Sequence, residues 1–447
     1  MSAAVAEMDG WVKSVLGFDV SAARGGGTGE GKVAKQAGET GEKIASPEGE
    51  TDEKGGIFAF AKRKVYDLTG LMAPSPKELS ADVNDALKEL DGKIEAIEKL
   101  GFDVKRLKAD RADAANAGKK AESLTGDDRV KATDKVVKRI EDLTKHAESL
   151  LKSAKSIMGA SKDAPTDDQK SKIYQKALED RYGLEITNPG NMPNTHLDKV
   201  FDMFATVPAD DAKQDKLKKL EYYSGKGSGS YNKSSLTVKM GDFGNAKGTE
   251  KYEIDGEEIQ ANSFDATTLH EIGHAVDNKH GFMASNGSKS GCGAWKTESV
   301  DSITDVYLAE AKKIPGLTKD VDQAALKKAV KAALDNGDTG KPDEITQPDW
   351  EKIVDFLTAK CLPIRADKKP WWEDSKVVIG GRVYQQSYAD GRWCSFEHAA
   401  IAKTKVNQYQ WRAPGEWFAE VYAISWLTKK KPPSGVDASV LEFMWNG

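Results

Sequence analysis

Two histidines and a glutamate stand close together in the segment LHEIGHAVD, residues 269–277. His270 and His274 are four residues apart, so on a helix their imidazoles project from one face about one turn apart. At that separation two imidazole nitrogens can bind one ion at about 2.0–2.1 Å. The pattern predicts one Zn²⁺ ion that lowers the pKa of a water molecule to about 7, with Glu271 as the general base that takes its proton.

The residues around the motif fit a helix with a binding face and a buried face. Leu269, Ile272 and Val276 occupy a different side from the histidines and would pack into the core. Gly273 leaves room for another element to approach closely, and Asp265 is predicted to cap the helix, which would begin one residue later. A chance occurrence on an ordinary core helix is the alternative. With 6 histidines in the chain, H-E-x-x-H should arise by chance in fewer than about one chain in fifty.

Two residues compete as the third metal ligand. The first is His280, which would complete the metzincin pattern H-E-x-x-H-x-x-G-x-x-H if Asp277 were glycine. That glycine provides the turn that returns the third histidine to the metal. The spacing favours a position for His280 past the end of the helix, beside Gly281 as terminator, over a role as metal ligand. A metzincin-type peptidase stays an alternative.

The second candidate is Glu416, in the segment APGEWFAEVY (residues 413–422). A helix is predicted from Pro414 to about Thr428, with Glu416 and Glu420 on one face. Two acids among large aromatic residues are costly to bury unless each has a partner. A zinc ion for one and a ligand histidine for the other would remove that cost, whereas a solvated pair of glutamates is the plainer interpretation.

Helices and an α+β domain must hold these residues. Two apolar stripes at helical spacing predict an antiparallel helical hairpin or short coiled coil; their residues are Val83, Leu87, Leu90, Ile94 and Ile97, then Val136, Ile140, Leu143, Ala147 and Leu150. His146 falls beside the second stripe and is predicted to be solvated. From residue 166 onward, helical patterns give way to the alternating segment Ser235–Met240 and then the motif helix, which indicates an α+β fold.

Three domains follow from these patterns. Residues 1–56 form a flexible N-terminal segment, because residues 21–56 are rich in Gly, Glu, Lys and Thr and carry few large apolar side chains. Residues 57–165 form the helical module, with a delivery or docking role. Residues 166–447 form the peptidase domain, with a helical insertion at about 285–380. Nine of the 10 tryptophans follow Ala294, which places the most specific core in this last domain.

Charge and cysteine content exclude several classes. The net charge is −5 and the pI about 5.9, so no domain-scale basic surface for nucleic acid is implied. No apolar run approaches the roughly 20 residues that span a bilayer. The first residues lack the pattern of a secretory signal. Three cysteines without a CxxC pair predict reduced thiols and synthesis in the cytoplasm, so secretion would use a route that ignores N-terminal signals.

The motif HEIGHAVD followed downstream by Y-x6-EWFAE resembles the catalytic domain of anthrax lethal-factor-type zinc metallopeptidases, a branch of the gluzincins. The resemblance covers about 190–284 and 395–430. It implies a zincin-like fold with three zinc ligands, a general base, a tyrosine that assists at the transition state and a carboxylate behind the ligands. The implied zinc ligands are His270, His274 and Glu416. The implied general base is Glu271, the assisting tyrosine is Tyr409, and the carboxylate behind the ligands is Glu420.

The resemblance also implies where the substrate lies. A helix over Leu197–Pro208 and a strand over Leu236–Met240 would provide a sheet edge for an extended peptide. About 140 residues separate His274 from Glu416, more than the family needs. The surplus carries helical patterns near 299–313, 320–335 and 348–360 and is a lid, an exosite or an inert insertion.

The predicted function is therefore a zinc endopeptidase, a hydrolase that cleaves a protein or peptide substrate. The layout resembles a bacterial polymorphic toxin or virulence effector, which predicts a secretion or injection apparatus and a cognate inhibitor as further partners. Two other functions stay open: a binding or structural protein whose zinc site is not catalytic, and a housekeeping intracellular peptidase. A site with three protein ligands and water predicts catalysis, whereas four protein ligands predict a structural site.

Overall fold

The fold is α+β, as seen in a computed structural model that describes residues 75–161, 163–187, 192–223, 229–241, 248–362, 364, 378–387 and 391–445. All of these residues belong to one compact unit. The predicted flexible segment 1–56 lies outside them. No helix in the described ranges is long and apolar enough to cross a membrane.

Three helices, not two, form the N-terminal part of the described chain: α1 Pro76–Lys99, α2 Lys105–Glu122 and α3 Gly126–Met158. Both predicted apolar stripes are buried, on α1 and α3. The helix α2 was not predicted, because its buried face is made largely of small residues such as Ala114, Gly118 and Ala121 and has no apolar stripe. The predicted hairpin is thus a three-helix module.

His146 on α3 is buried, so its predicted solvation is wrong. Its Nδ1 lies 2.7 Å from the hydroxyl of Tyr182, and its ring stacks on Phe201 with centroids 3.7 Å apart. Burial lowers the pKa of His146 well below its ordinary value, so the ring is neutral. These contacts explain a histidine on a core-facing position without a ligand role.

The helical module shares its core with the rest of the described chain. One hydrophobic cluster runs from Val83 to Met444. Polar contacts also connect the two parts. Arg139 donates a hydrogen bond to the carbonyl of Ala205 at 2.6 Å. Lys429 forms ion pairs with Asp110 and Asp113. The delivery or docking role of residues 57–165 stays a prediction.

A four-stranded sheet lies beside the motif helix, among helices α4 Asp167–Tyr182, α5 Asn194–Thr206 and α6 Ala209–Ala212. Its strands are β1 Glu185–Thr187, β2 Lys219–Tyr222, β3 Ser230–Asn232 and β4 Thr237–Met240. The order is β1-β2-β4-β3, with β2 parallel to β1 and β4, and β3 antiparallel to β4. The predicted strand 236–240 is therefore real but is not an edge, because β2 and β3 occupy its two sides.

The next elements lead into the metal motif. They are the hairpin of β5 Thr249–Ile254 and β6 Glu257–Asn262, then α7 Ser263–His280 and the short α8 Phe282–Asn286. The hairpin is antiparallel, and β6 runs directly into α7. The motif helix is thereby fixed at its start by a strand.

The predicted insertion has a core of its own. Its elements, within about 285–380, are β7 Lys296–Thr297, α9 Val300–Ala311, α10 Gln323–Asn336, α11 Gln347–Phe356 and β8 Val378–Ile379. Two strands that follow it, β9 Arg382–Gln386 and β10 Trp393–Glu397, pack with these elements. The strands form an antiparallel sheet of order β7-β10-β9-β8. Tyr384 and Trp393 belong to the insertion's core, whereas Val383 and Phe396 belong to the main core. The sheet thus separates two cores and ties the insertion to the main domain.

Three further α-helices lie in the last described range: α12 His398–Thr404, α13 Pro414–Thr428 and α14 Ala438–Trp445. The helix α13 has the predicted bounds and starts with proline at its first position, where the missing N–H costs nothing. It packs along α7, and this pair of helices carries the candidate site.

Candidate metal centre

The motif helix begins three residues before the predicted start. Asn262, not Asp265, is the N-cap: its Oδ1 accepts hydrogen bonds from the backbone N–H groups of Phe264 at 3.1 Å and Asp265 at 3.2 Å. Asp265 lies in the first turn and pairs with Lys199 at 3.0 Å. The sequence signal for Asp265 was misleading because asparagine and aspartate both cap helices well. Gly281 terminates the helix, as predicted, as a C-cap in the left-handed conformation with φ of 60°.

Gly273 sets how close α7 and α13 can come. A Cβ atom at this position would lie 3.0 Å from Cα of Ala419 and 3.3 Å from Cβ of Tyr422. Both distances are below ordinary carbon–carbon contact, about 3.5–4.0 Å. The predicted close approach is present, and it brings the first turns of α13 against the histidine face of α7.

Glu416 reaches both histidines across this helix pair. Its Oε2 lies 3.0 Å from Nε2 of His270 and 3.2 Å from Nε2 of His274. Donors bound tetrahedrally at about 2.0–2.1 Å from one zinc ion are about 3.3 Å from each other. The carboxylate oxygen therefore has nearly the separation from each imidazole nitrogen that a shared ion requires.

The same oxygen is buried beside the two imidazoles. Glu416 is 5 % exposed, and within the described ranges its Oε2 makes no hydrogen bond of regular geometry, although the two imidazole nitrogens lie 3.0 and 3.2 Å away. Buried carboxylate oxygens in native proteins nearly always have a partner. A cation between the three donors would supply one, so these residues fit a metal ion.

Glu271 is also close to the histidines. One donor atom from each of His270, Glu271 and His274 lies within 4.8 Å of the others, and this group can hold a metal ion. Glu416 lies 3.0 and 3.2 Å from the two imidazole nitrogens, which favours it as the third donor. Glu271 then faces the cluster from α7 and is 3 % exposed, and no described residue forms a hydrogen bond with its Oε2.

Glu420 lies behind the first histidine. Its Oε1 is 3.1 Å from Nδ1 of His270, and its Oε2 accepts a hydrogen bond from Nδ2 of Asn407 at 2.6 Å. A carboxylate in this position fixes the ring orientation of a metal-binding histidine. Both glutamates of α13 are buried, so the solvated-pair interpretation is wrong. Asn407 was missed, because nothing in its spacing relates it to the motifs.

The charges of the cluster balance only if a cation or protons are present. Burial would raise the pKa of Glu416, but His274 and His270 outweigh it and lower the pKa well below its ordinary value. Burial works against a charged His270, yet Glu420 and Glu416 raise its pKa well above the ordinary value. Burial raises the pKa of Glu271. Without a metal, a proton on His270 takes the place of the cation.

Tyr409 stands beside the cluster on a short 3₁₀ helix, Tyr409–Arg412. Its ring centroid is 5.8 Å from that of His270 in an edge-to-face arrangement. The guanidinium of Arg412 lies over the phenol ring, 4.5 Å from its centroid. The structure thus places Tyr409 at the site, while its part in the reaction stays a prediction.

His280 is not near the cluster, which contradicts the metzincin alternative. It is the last residue of α7 and is exposed, with its ring 5.0 Å from that of Phe443. The helix continues through Asp277, so no turn redirects the chain toward the other histidines. Asp277 instead accepts a hydrogen bond from the backbone N–H of Met283 at 2.8 Å.

Gly229 brings the backbone of the sheet edge against Glu271. A Cβ at this position would lie 2.5 Å from Cγ2 of Thr267 and 2.9 Å from Oε1 of Glu271. The residue immediately precedes β3, the strand at the edge of the described sheet. The sequence did not reveal it, because it stands in a glycine- and serine-rich stretch where each glycine has the same local signal.

Comparison with known proteins gives no relative: no protein-family model, no curated protein and no solved structure matches the chain.

Proposed function

We propose that the chain is a zinc-dependent endopeptidase. The observation that carries this proposal is the position of the buried Glu416 Oε2, 3.0 and 3.2 Å from two imidazole nitrogens. Two imidazoles and one carboxylate are the donor set of catalytic zinc sites that keep one position open. The α7–α13 pair beside a mixed sheet with an antiparallel edge strand supports the zincin-like fold that the motifs imply.

The residues around the ion have separate tasks. Bound zinc would polarise the scissile carbonyl and lower the pKa of water to about 7. Glu271 takes a proton from the attacking water and returns it to the leaving amine. Tyr409 donates a hydrogen bond to the developing oxyanion.

The outer edge of β3 is the proposed peptide site. The strand β4, for which this role was predicted, is paired on both sides. An extended substrate would add to the sheet beside Ser230–Asn232 by backbone hydrogen bonds. Gly229 then brings the substrate backbone next to Glu271, where the carbonyl can face the metal cluster.

The test is Glu271→Gln, which keeps the size of the side chain but removes the base. We expect zinc content to be unchanged and cleavage of a peptide library to fall by about 100-fold or more. The exposed Glu258 on β6, changed to Gln, is the matched control and should cleave like the parent. A Glu271→Gln protein that cleaves as fast as the parent would rule out this mechanism.

A structural zinc site is the second candidate, because Glu271 itself lies in the group that can hold a metal. Four protein ligands would close the site to water. Unfolding on removal of the metal, with no cleavage of any peptide by the zinc-loaded protein, would favour this function.

The toxin or effector role and the delivery apparatus stay predictions. Expression of the parent and of Glu271→Gln inside a panel of bacterial and eukaryotic cells tests them. Toxicity of the parent alone supports the role, and harmless expression at high level supports a housekeeping peptidase.

A further inference from the structure

Asn407 lies between two parts of the metal centre. Its Nδ2 donates to Oε2 of Glu420 at 2.6 Å, and the other oxygen of Glu420 is 3.1 Å from Nδ1 of His270. Its Oδ1 accepts a hydrogen bond from the backbone N–H of Gln410 at 3.0 Å. Gln410 directly follows Tyr409. One planar amide group therefore holds both the carboxylate behind a histidine and the turn that carries the tyrosine.

The backbone on both sides of Asn407 is fixed. The buried side chain of Gln410 accepts from the N–H of Val406 at 2.8 Å and donates to the carbonyl of Thr404 at 2.8 Å. The carbonyl of Val406 accepts a hydrogen bond from the N–H of Glu253 on β5 at 2.8 Å. The main chain of Asn407 is thus fixed, so its side-chain amide can hold the Glu420 carboxylate in one position.

A second donor limits how far Glu420 would move if Asn407 were lost. The buried hydroxyl of Tyr252 has two carboxylate acceptors, Glu250 at 3.2 Å and Glu420, and its single proton can turn to Glu420 when the Asn407 amide is removed. Burial, Glu420 and Glu250 raise the pKa of Tyr252 well above its ordinary value, so the hydroxyl keeps its proton. Loss of the Asn407 amide should therefore make the Glu420 carboxylate more mobile, while the Tyr252 hydroxyl remains in contact with it.

We propose that Asn407 is a positioning residue that couples the orientation of His270 to the placement of Tyr409. The proposal rests on the proposed zinc peptidase function. Through Glu420, the amide nitrogen keeps the imidazole turned so that Nε2 faces the ion. Through Gln410, the amide oxygen sets where the phenol of Tyr409 meets the substrate. Binding of the metal and stabilisation of the transition state thereby depend on one side chain.

The first experiment measures zinc affinity of the full chain by competition with a chromogenic chelator. We expect Asn407→Ala to bind zinc 10- to 100-fold more weakly than the parent, the range found when partners of ligand histidines are removed. Asn407→Asp keeps the size but places a carboxylate against Glu420, and should weaken binding at least as much. If Asn407→Ala does not fold, the Asn407→Asp protein decides the result.

Double-mutant cycles separate coupling from general loosening. For zinc affinity, the effects of Asn407→Ala and Glu420→Gln should be less than additive, because both act through His270. For kcat at saturating zinc, Asn407→Ala and Tyr409→Phe should also be less than additive, with KM changed less than twofold. Additive effects in both cycles would overturn the coupling.

The matched control is Asn286→Ala. Asn286 is half-buried and its amide donates to the carbonyl of Phe282 at 3.1 Å, so the change removes the same chemical group elsewhere. Its zinc affinity and kcat should stay within twofold of the parent. Asn407→Ala and Asn407→Asp proteins that bind zinc as tightly as the parent would overturn the proposal. If the parent binds zinc but cleaves no peptide, the proposed function is contradicted. The double-mutant cycle on zinc affinity would then still test the role of Asn407.

Discussion

The substitution Gly273→Ala tests whether the closeness of two helices creates the metal centre. The new Cβ would lie 3.0 Å from Cα of Ala419, which is about 0.5–1 Å closer than ordinary carbon contact. The contacted atom, Cα of Ala419, belongs to the backbone of α13 and cannot rotate away as a side chain could. The helix α13 must therefore shift. Glu416 and Glu420 lie within one turn of Ala419 and must move with it.

The expected size of the effect follows from two opposed contributions. Alanine in place of glycine inside a helix stabilises by about 1 kcal/mol, whereas overpacking costs about 1–3 kcal/mol. The net loss of folding stability is therefore at most about 2 kcal/mol. Zinc affinity should suffer more, because a metal site tolerates ligand displacements of only about 0.2 Å. We expect the zinc dissociation constant of Gly273→Ala to rise at least tenfold.

The assay compares Gly273→Ala with Gly92→Ala by chelator competition and by thermal unfolding in the presence and absence of zinc. Gly92 lies on α1, and no atom of the described ranges comes within 4 Å of an added Cβ. Gly92→Ala should stabilise the protein by about 0.5–1 kcal/mol and leave zinc binding unchanged. If Gly273→Ala binds zinc like the parent and is equally stable, the close packing of α7 and α13 does not determine the site.

Three further predictions concern other parts of the molecule. Gly229→Ala would place Cβ 2.9 Å from Oε1 of Glu271, and displacing the base should lower the cleavage rate about 100-fold without loss of zinc by metal analysis. Saturating zinc at 100 times its dissociation constant should stabilise the fold by about 2.7 kcal/mol, and equal melting temperatures with zinc and with chelator would contradict this. Burial raises the pKa of Asp198 to about 6, so its ionisation destabilises the fold, and stability should fall as the pH rises from about 4 to 6. Asp198→Asn keeps an acceptor for Tyr174 and should abolish up to about 3 kcal/mol of that fall, which urea unfolding at both ends of the range measures.

Local patterns predicted the elements that carry the site. The spacing of His270 and His274 requires a helix, and the segment from Pro414 to Thr428 has start and stop signals of its own; both helices are present. The structure also brings Glu416 to the histidines, as the cost of burying two acids suggested. Their roles as zinc ligands stay predictions.

Features that depend on distant contacts could not be predicted. The position of β4 inside the sheet depends on the order in which four short strands pair, and alternation within a strand contains no information about its neighbours. Asn407 and Gly229 matter because of side chains that reach them from α13 and α7. The helix α2 was missed because packing against α1 and α3, rather than an apolar stripe, stabilises it.

Anomalous diffraction at the zinc edge from crystals of the purified protein tests the central claim most directly. The account predicts one peak about 2.0–2.2 Å from Nε2 of His270, Nε2 of His274 and a carboxylate oxygen of Glu416, with solvent as the remaining ligand and Glu271 beside that solvent. A peak without Glu416 among its ligands, a site closed by Glu271, or no peak in zinc-saturated crystals would contradict it.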